Sequence, residues 1–174
     1  MTRPLNRTLM KAGLITAVLA QLLVLGGLAG YSQYPLWVGQ EVRVTTLPVD
    51  PRDWFRGQYV RLDYPFSRLP IPDMELPRGG DPVFVPLHRE EEVWRPGPAR
   101  LREPDDGPYL RGRITAVRGG KMHVRYGIEA WFAPPEEARR LEAELRDGGV
   151  ARLRVAPGGR AALEAVERGA DPAP

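Results

Sequence analysis

The sequence predicts an α+β protein in which one N-terminal transmembrane helix is followed by a small β-rich, barrel-like domain with a single helix near its C-terminus. Three observations support this prediction. Residues 12–31 carry no charged side chain. Beyond them, short runs alternate between apolar and polar residues, which is the period of a half-buried strand. The 19 glycines and 19 prolines interrupt these runs and leave little room for further long helices.

The first predicted element is an apolar helix over residues 12–31. Twenty helical residues extend about 30 Å, which matches the hydrocarbon core of a bilayer. Each leucine, isoleucine and valine in the segment favours insertion by about 0.3–0.6 kcal/mol, and together they outweigh the few polar residues. A cleaved signal peptide is the alternative, because Gly27, Leu28 and Ala29 resemble a peptidase site. The apolar stretch exceeds the usual signal-peptide length, so a retained anchor is favoured.

Basic residues on one side of this helix predict its orientation. Arg3, Arg7 and Lys11 lie in the flank of residues 1–11, whereas the first basic residue after the helix is Arg43. Positively charged flanks remain on the cytoplasmic side of a membrane. We therefore expect a cytoplasmic flank and an extracytoplasmic remainder.

The rest of the chain divides into three predicted parts. We expect a tether over residues 32–40, the extracytoplasmic β-rich domain over residues 41–168 and a disordered tail over residues 169–174. Alternating runs predict strands at residues 41–46, 58–64, 83–87, 110–117, 121–126, 150–156 and 161–166. Glycine-rich turns join the last four of these strands into two hairpins. Residues 65–82 are expected to form a loop, and residues 90–108 an exposed loop or a ragged hairpin.

One helix is predicted inside the domain, between Pro134 and Gly148. Proline is favoured in the first turn of a helix. Glu136 and Glu137 follow it and suit the positive end of the helix dipole. Glycine is the usual residue just past a helix C-terminus, so Gly148 is expected to end the helix.

Composition excludes several kinds of chemistry. The chain has no cysteine, which excludes disulfides, thiol nucleophiles and cysteine-ligated metals. With His88 and His123 as its only histidines, a zinc site is not expected, and neither is a cofactor. The net charge of +3 comes from the N-terminal flank alone, so the domain has no basic surplus for nucleic acid.

Residues 57–64 read Gly-Gln-Tyr-Val-Arg-Leu-Asp-Tyr. This stretch resembles the GDYXXLXY family of bacterial membrane-anchored proteins, which is named for Gly-Asp-Tyr followed by Leu and Tyr at fixed spacing. The positions that match the motif are Gly57, Tyr59, Leu62 and Tyr64. Residues 125–132 and the N-terminal apolar span are also similar to the family. Members tend to be encoded beside polytopic membrane proteins, so the resemblance implies a bacterial cytoplasmic membrane location and a membrane-protein partner.

Gln58 departs from the family motif, which has aspartate at this position. Glutamine cannot act as a general base or as an anion. If the family's aspartate were catalytic, this chain would be inactive. A structural role for this position would survive the change from aspartate to glutamine, because the glutamine carbonyl can still accept a hydrogen bond from a turn amide.

The candidate interaction residues surround the motif and the second similar stretch. They are Asp50, Arg52, Asp53, Arg56, Gly57, Gln58, Tyr59, Leu62, Asp63, Tyr64, Gly127 and Glu129. The charged members can bind a ligand, but a turn with surface ion pairs is the favoured interpretation. The aromatic members are expected mainly in the core. Glu129 is expected to pair with an arginine at position 52, 56 or 61, the alternative being an acid that faces a ligand.

Catalytic groups are not evident in the sequence. A serine nucleophile needs an activating lysine or histidine. Ser67 is the obvious candidate with Lys121 or His88, but no flanking motif presents it as a nucleophile. A non-enzymatic role is therefore favoured.

These patterns favour a single-pass, membrane-anchored extracytoplasmic accessory protein that docks on a polytopic membrane protein. The alternative is an envelope enzyme, or a domain that binds a small molecule or cell-wall polymer in a pocket near Asp53, Asp63 and Glu129. It requires these carboxylates to converge in one cleft. Binding of cell-wall polymer would also require exposed, coplanar rings, for which the candidates are Tyr59, Trp94 and Trp131.

Overall fold

A computed structural model describes residues 7–47, 59–72, 76–132, 134, 136, 140, 145 and 148–168. The chain divides into two compact units, Met1–Tyr34 and Pro35–Pro174. The first unit consists of most of one long helix. The second contains the last turn of that helix and the whole β-rich domain.

Helix α1 covers Arg7–Val38 and is longer than the sequence predicts. Residues 32–38, which were expected to belong to a tether, continue the helix through Pro35. Proline removes one helical hydrogen bond, which bends or weakens a helix without always ending it. The final helical bond runs from the Gly39 amide to the Pro35 carbonyl, at 2.9 Å.

The domain contains ten strands among the described residues. They are β1 (Gln40–Thr46), β2 (Tyr59–Arg61), β3 (Arg68–Pro70), β4 (Pro82–Glu90), β5 (Val93–Pro96), β6 (Tyr109–Arg118), β7 (Lys121–Arg125), β8 (Ala130–Phe132), β9 (Gly149–Val155) and β10 (Ala161–Arg168). A short 3₁₀ helix covers Pro65–Ser67. All strand pairs are antiparallel.

The strands form a curled half-barrel. One sheet has the order β3-β7-β6-β4-β5, a second has the order β1-β9-β10, and β2 pairs with β8. Strand β1 lies beside β5, and an isolated bridge joins Leu47 to Asp63. These contacts bring the sheets around a shared core. The α+β class with an N-terminal apolar helix is therefore confirmed.

Both predicted hairpins are present. Strands β6 and β7 meet at Gly119 and Gly120, which have φ angles of 57° and 72°. Positive φ at both central positions is what a tight two-residue hairpin turn demands, and glycine adopts it without strain. Strands β9 and β10 form the second hairpin, with a register shift between Leu163 and Ala165.

One segment that was expected to be a loop contains a strand, and the other takes part in a hairpin, the alternative to an exposed loop there. Strand β3 lies within residues 65–82, and β5 lies within residues 90–108. Both are short and contain proline, so neither shows a clear alternation in sequence. Their strand conformation is set by their partners, because β3 pairs with β7 and β5 pairs with β4.

The predicted strand over residues 58–64 is shorter in the structure, where only Tyr59–Arg61 pair as β2. The predicted helix between Pro134 and Gly148 falls mostly outside the described residues. Within it, Glu136 and Arg140 are helical.

One hydrophobic core lies beneath the sheets. Strand alternation places Val42 and Val44 of β1 inward, with Ile114 of β6 and Leu153 of β9 in the same buried cluster. Each such side chain stabilises the fold by about 1.5–3 kcal/mol relative to an exposed position. The described residues of this core all lie at or beyond Val42, so α1 contributes none of them.

Candidate functional site

The part of the motif that the structure describes, residues 59–64, contributes to the packing of the domain. Strand β2 pairs with β8, which belongs to the second family-like stretch. Leu62 follows β2 and is fully buried, and its amide donates to the Glu129 carbonyl at 2.9 Å. Tyr64 is also buried. The two similar stretches therefore pack against each other.

An aromatic cluster of Tyr64, Phe66 and Tyr126 holds these stretches together. The Tyr64 ring stacks on Phe66 at 4.9 Å between centroids, and Phe66 meets Tyr126 edge-on at 5.2 Å. The Tyr64 hydroxyl donates to the Ile128 carbonyl at 2.9 Å. The Tyr126 hydroxyl donates to the Phe66 carbonyl, also at 2.9 Å. Both bonds are buried and cross more than 50 residues of chain.

The tyrosines of this cluster act as neutral hydrogen-bond donors. Burial, and secondarily the negative charge of Glu129, raises the pKa of Tyr64 and the pKa of Tyr126 far above their ordinary value. Neither hydroxyl can serve as a general base near neutral pH. The interpretation of Tyr64 as a core residue agrees with this geometry.

Glu129 closes a turn. Its carboxylate accepts hydrogen bonds from the amides of Tyr126 and Gly127. Gly127 has φ of 86°, a conformation that favours glycine. The described donors to this carboxylate are backbone amides, and the arginines that were expected to pair with it, Arg52, Arg56 and the side chain of Arg61, lie outside the described part.

Asp63 is bonded on both oxygens. One carboxylate oxygen accepts from the Tyr64 amide at 3.1 Å, and the other accepts from the Arg68 guanidinium at 3.1 Å. Arg68 was not among the predicted residues. Its approach to Asp63 depends on the 3₁₀ helix between them, which turns the chain back into β3.

A polar groove of about 560 Å³ lies beside the motif. Its lining residues are Leu62, Asp63, Ser67, Arg68, Thr115, His123, Val124, Arg125, Gly127, Glu129 and Ala130. It gathers four of the predicted interaction residues, with Asp63 and Glu129 along one cleft. Two of the other lining residues, His123 and Arg125, had a signal in the sequence, because alternation along β7 turns them away from buried Met122 and Val124.

Half of the predicted interaction residues cannot be placed at this groove. Asp50, Arg52, Asp53, Arg56, Gly57 and Gln58 fall in residues 48–58, outside the described part. Tyr59 is described only through its backbone, which pairs with Phe132.

The groove shows no assembled catalytic set among the residues that the structure describes. Ser67 Oγ accepts a hydrogen bond from the Tyr64 amide at 3.2 Å, which is a capping contact. No group of three or more histidine or acidic side chains in the described ranges could hold a metal ion. Trp94 and Trp131 are partly buried and packed on the core, so they do not form an open stacking platform.

Helix α1 is the remaining functional feature. Met10–Val38 is long and apolar enough to cross a membrane, and its most apolar stretch of 18 residues has a mean hydropathy of 2.1 and no buried residue. Leu23 is 77% exposed, and its neighbours along the helix are also exposed. These properties are consistent with a membrane anchor.

The comparisons with known proteins identify a family. No curated protein and no solved structure is significantly similar to this chain. The sequence profile of the GDYXXLXY protein family matches residues 21–166, which include the second half of α1 and almost all of the domain. The motif with Gln58 in place of aspartate lies within this match. The chain therefore belongs to the GDYXXLXY family.

Proposed function

We propose that this chain is a single-pass, membrane-anchored accessory protein whose domain lies outside a bacterial cytoplasmic membrane and docks on a polytopic membrane protein. The observation that carries the proposal is the exposed apolar surface of α1. A helix that is apolar on all sides is stable only when other apolar groups or lipid cover it. Within the described chain the most apolar 18 residues of α1 are not buried, so lipid is their natural environment.

The chemistry of the described domain supports a binding role over a catalytic one. Asp63 and Glu129 are committed to hydrogen bonds within the fold. Tyr64 and Tyr126 are buried donors to backbone carbonyls. A general acid or base needs a free, titrating group within reach of substrate. These groups are better suited to shaping a surface than to transferring protons.

Cysteine labelling tests the topology. The chain has no native cysteine, so a single introduced thiol gives no background. We expect a membrane-impermeant maleimide to label Arg118→Cys, at the exposed end of β6, on intact spheroplasts. Thr2→Cys should react only after the membrane is opened. The reverse pattern would place the domain in the cytoplasm and overturn the proposal.

Purification from native membranes tests the docking. The tagged full chain, extracted in mild detergent, should elute as a stoichiometric complex with a protein that has several transmembrane helices. A chimera in which residues 12–31 are replaced by an unrelated apolar helix should retain the complex if the domain makes the contact. A monomer of the 19.4 kDa chain in its micelle, measured by light scattering, would contradict the proposal.

A second role is supported by a different observation. Asp63 and Glu129, which are far apart in sequence, line the same groove. A groove of about 560 Å³ lies within the range of small-molecule sites. We therefore propose that the domain also binds a small ligand or a ligand group in this groove.

A further inference from the structure

The carboxylates in the groove are largely satisfied by the protein. Each oxygen of Asp63 accepts one hydrogen bond, from the Tyr64 amide and from Arg68. Each oxygen of Glu129 also accepts one, from the amides of Tyr126 and Gly127. A cationic ligand would have to compete with these contacts. The carboxylates are therefore poor candidates for the ligand-binding groups.

The free hydrogen-bonding capacity of the groove consists mainly of donors. Arg125 lines the groove, is exposed, and forms no ion pair with any residue that the structure describes. Its guanidinium carries five N–H donors. Arg68 uses Nη2 for Asp63, and its other N–H groups have no partner in the described ranges of the chain. Ser67 Oγ accepts from the Tyr64 amide, and its hydroxyl donates to no residue that the structure describes.

The strand register brings the two arginines together. Arg68 of β3 lies opposite His123 of β7, and Arg125 is two residues further along β7. Residues two apart on a strand share a face, and such diagonal neighbours have Cα atoms about 7–8 Å apart. Two long guanidinium side chains at this spacing can reach one small ligand group.

We propose that this groove binds an oxyanionic group, a carboxylate or a phosphate, between Arg125 and Arg68, with the Ser67 hydroxyl as an additional donor. Guanidinium groups bind both kinds of oxyanion through paired hydrogen bonds. The inference rests on the second role proposed above and is independent of the docking on a membrane protein. The donors that would bind the ligand lie outside the motif, whereas the motif residues Leu62 and Asp63 line the groove.

The local charges predict weak binding of a free anion. Arg68 is 64% exposed along its side chain and already shares its charge with Asp63. Solvent screens an exposed ion pair. We therefore expect saturable binding at high ligand concentration and a strong dependence on salt.

Proton–nitrogen correlation NMR of the isotope-labelled full chain in a nonionic detergent tests the proposal. The probes are inorganic phosphate, glycerol 3-phosphate and citrate, each titrated at constant ionic strength against chloride. We expect saturable shifts of the Arg125 side-chain Nε–Hε signal with at least one probe. Arg125→Ala should weaken binding at least tenfold, measured on the Arg68 signal, and Arg125→Lys should weaken it less.

Arg118→Ala is the matched control, because Arg118 is an exposed arginine outside the groove. It should leave the affinity unchanged. Tighter binding of glycerol 3-phosphate than of phosphate would indicate a lipid headgroup as the source, and tighter binding of citrate would indicate a carboxylate. Both results support the proposal. The absence of saturable shifts with all three probes, or equal loss in the control, would overturn it while leaving the groove and the docking role standing.

Discussion

At the scale of single residues, the second tyrosine of the motif has a clear structural purpose. Tyr64 fills the core and also donates a buried hydrogen bond to the Ile128 carbonyl. Buried carbonyls without a partner cost more than the bond itself contributes. A phenol is thus required where a phenyl ring would fill the same space. In this chain the second tyrosine of the motif therefore joins two parts of the core, the segment after β2 and the segment before β8.

Removal of this hydroxyl should destabilise the domain. Tyr64→Phe leaves the Ile128 carbonyl buried without a donor, and we expect the free energy of unfolding to fall by about 1–2 kcal/mol. Denaturant unfolding followed by tryptophan fluorescence measures the change. Tyr34→Phe, at an exposed position of α1, is the control and should change stability by less than about 0.5 kcal/mol. Equal effects would show that the buried bond is not needed.

The buried tyrosines also predict alkaline instability. Their pKa values are raised in the folded state, mainly by burial, so Tyr64 and Tyr126 keep protons that unfolded tyrosines lose near pH 10. Stability should therefore be constant with pH just below 10 and fall above it, by about 1.4 kcal/mol per pH unit for each tyrosine. Burial also raises the pKa of Tyr109 to about 12, which adds to the fall.

Unfolding at several pH values above 10 tests this expectation. The double variant Tyr64→Phe, Tyr126→Phe is less stable at neutral pH, but its stability should decline less steeply with alkaline pH. Parallel slopes in the two proteins would contradict the assignment of the buried phenols.

At the scale of elements, the junction between α1 and the sheet depends on a small residue. A Cβ on Gly39 would lie 2.3 Å from the Pro35 carbonyl oxygen and 2.9 Å from backbone atoms of Arg154 and Val155. These are backbone atoms, which cannot move away by a change of rotamer as side-chain atoms can. The last helical turn and β9 therefore approach as closely as glycine allows.

Gly39→Ala should disturb this junction. We expect a loss of about 1–3 kcal/mol, because overpacking against fixed backbone forces a local shift. Thermal unfolding of the second unit reports the loss. Gly79→Ala is the matched control, since its nearest neighbour would be the Thr115 carbonyl at 3.8 Å and its backbone is not left-handed. Similar melting of both variants would argue against a tight junction.

At the scale of the whole molecule, the domain and the helix have separate sources of stability. The described core lies entirely within residues 42–155, with peripheral contacts as far as Val166. Helix α1 exposes its apolar side chains and supplies none of this core. The domain can therefore be expected to fold without the apolar span.

A chain that begins at Pro35 should be soluble and fold cooperatively, whereas the full chain should require detergent or lipid. Sedimentation and circular dichroism with a single thermal transition measure this. The full chain in nonionic detergent provides the reference spectrum. Aggregation of the shortened chain, or the absence of a transition, would show that α1 is needed for the fold.

The parts of this fold that could be predicted from sequence are local ones. The β6–β7 hairpin follows from its alternation and from Gly119 and Gly120. Strand β3 could not be predicted, because its three residues acquire strand geometry only by pairing with β7. The groove follows the same rule: Asp63 and Glu129 were candidates by residue type, but Arg68 enters through the 3₁₀ turn after Asp63 and the pairing of β3 with β7.

Two of the edge strands among those described, β3 of the five-stranded sheet and β10 of the three-stranded sheet, are poor templates for growth. Strand β3 has three residues, one of them Pro70, and β10 is interrupted by an irregularity near Glu164. Short, proline-containing or bulged rims resist the addition of a further chain. For copies confined to a single plane, where collisions in one orientation are frequent, this irregularity would hinder strand pairing between neighbours at these two edges.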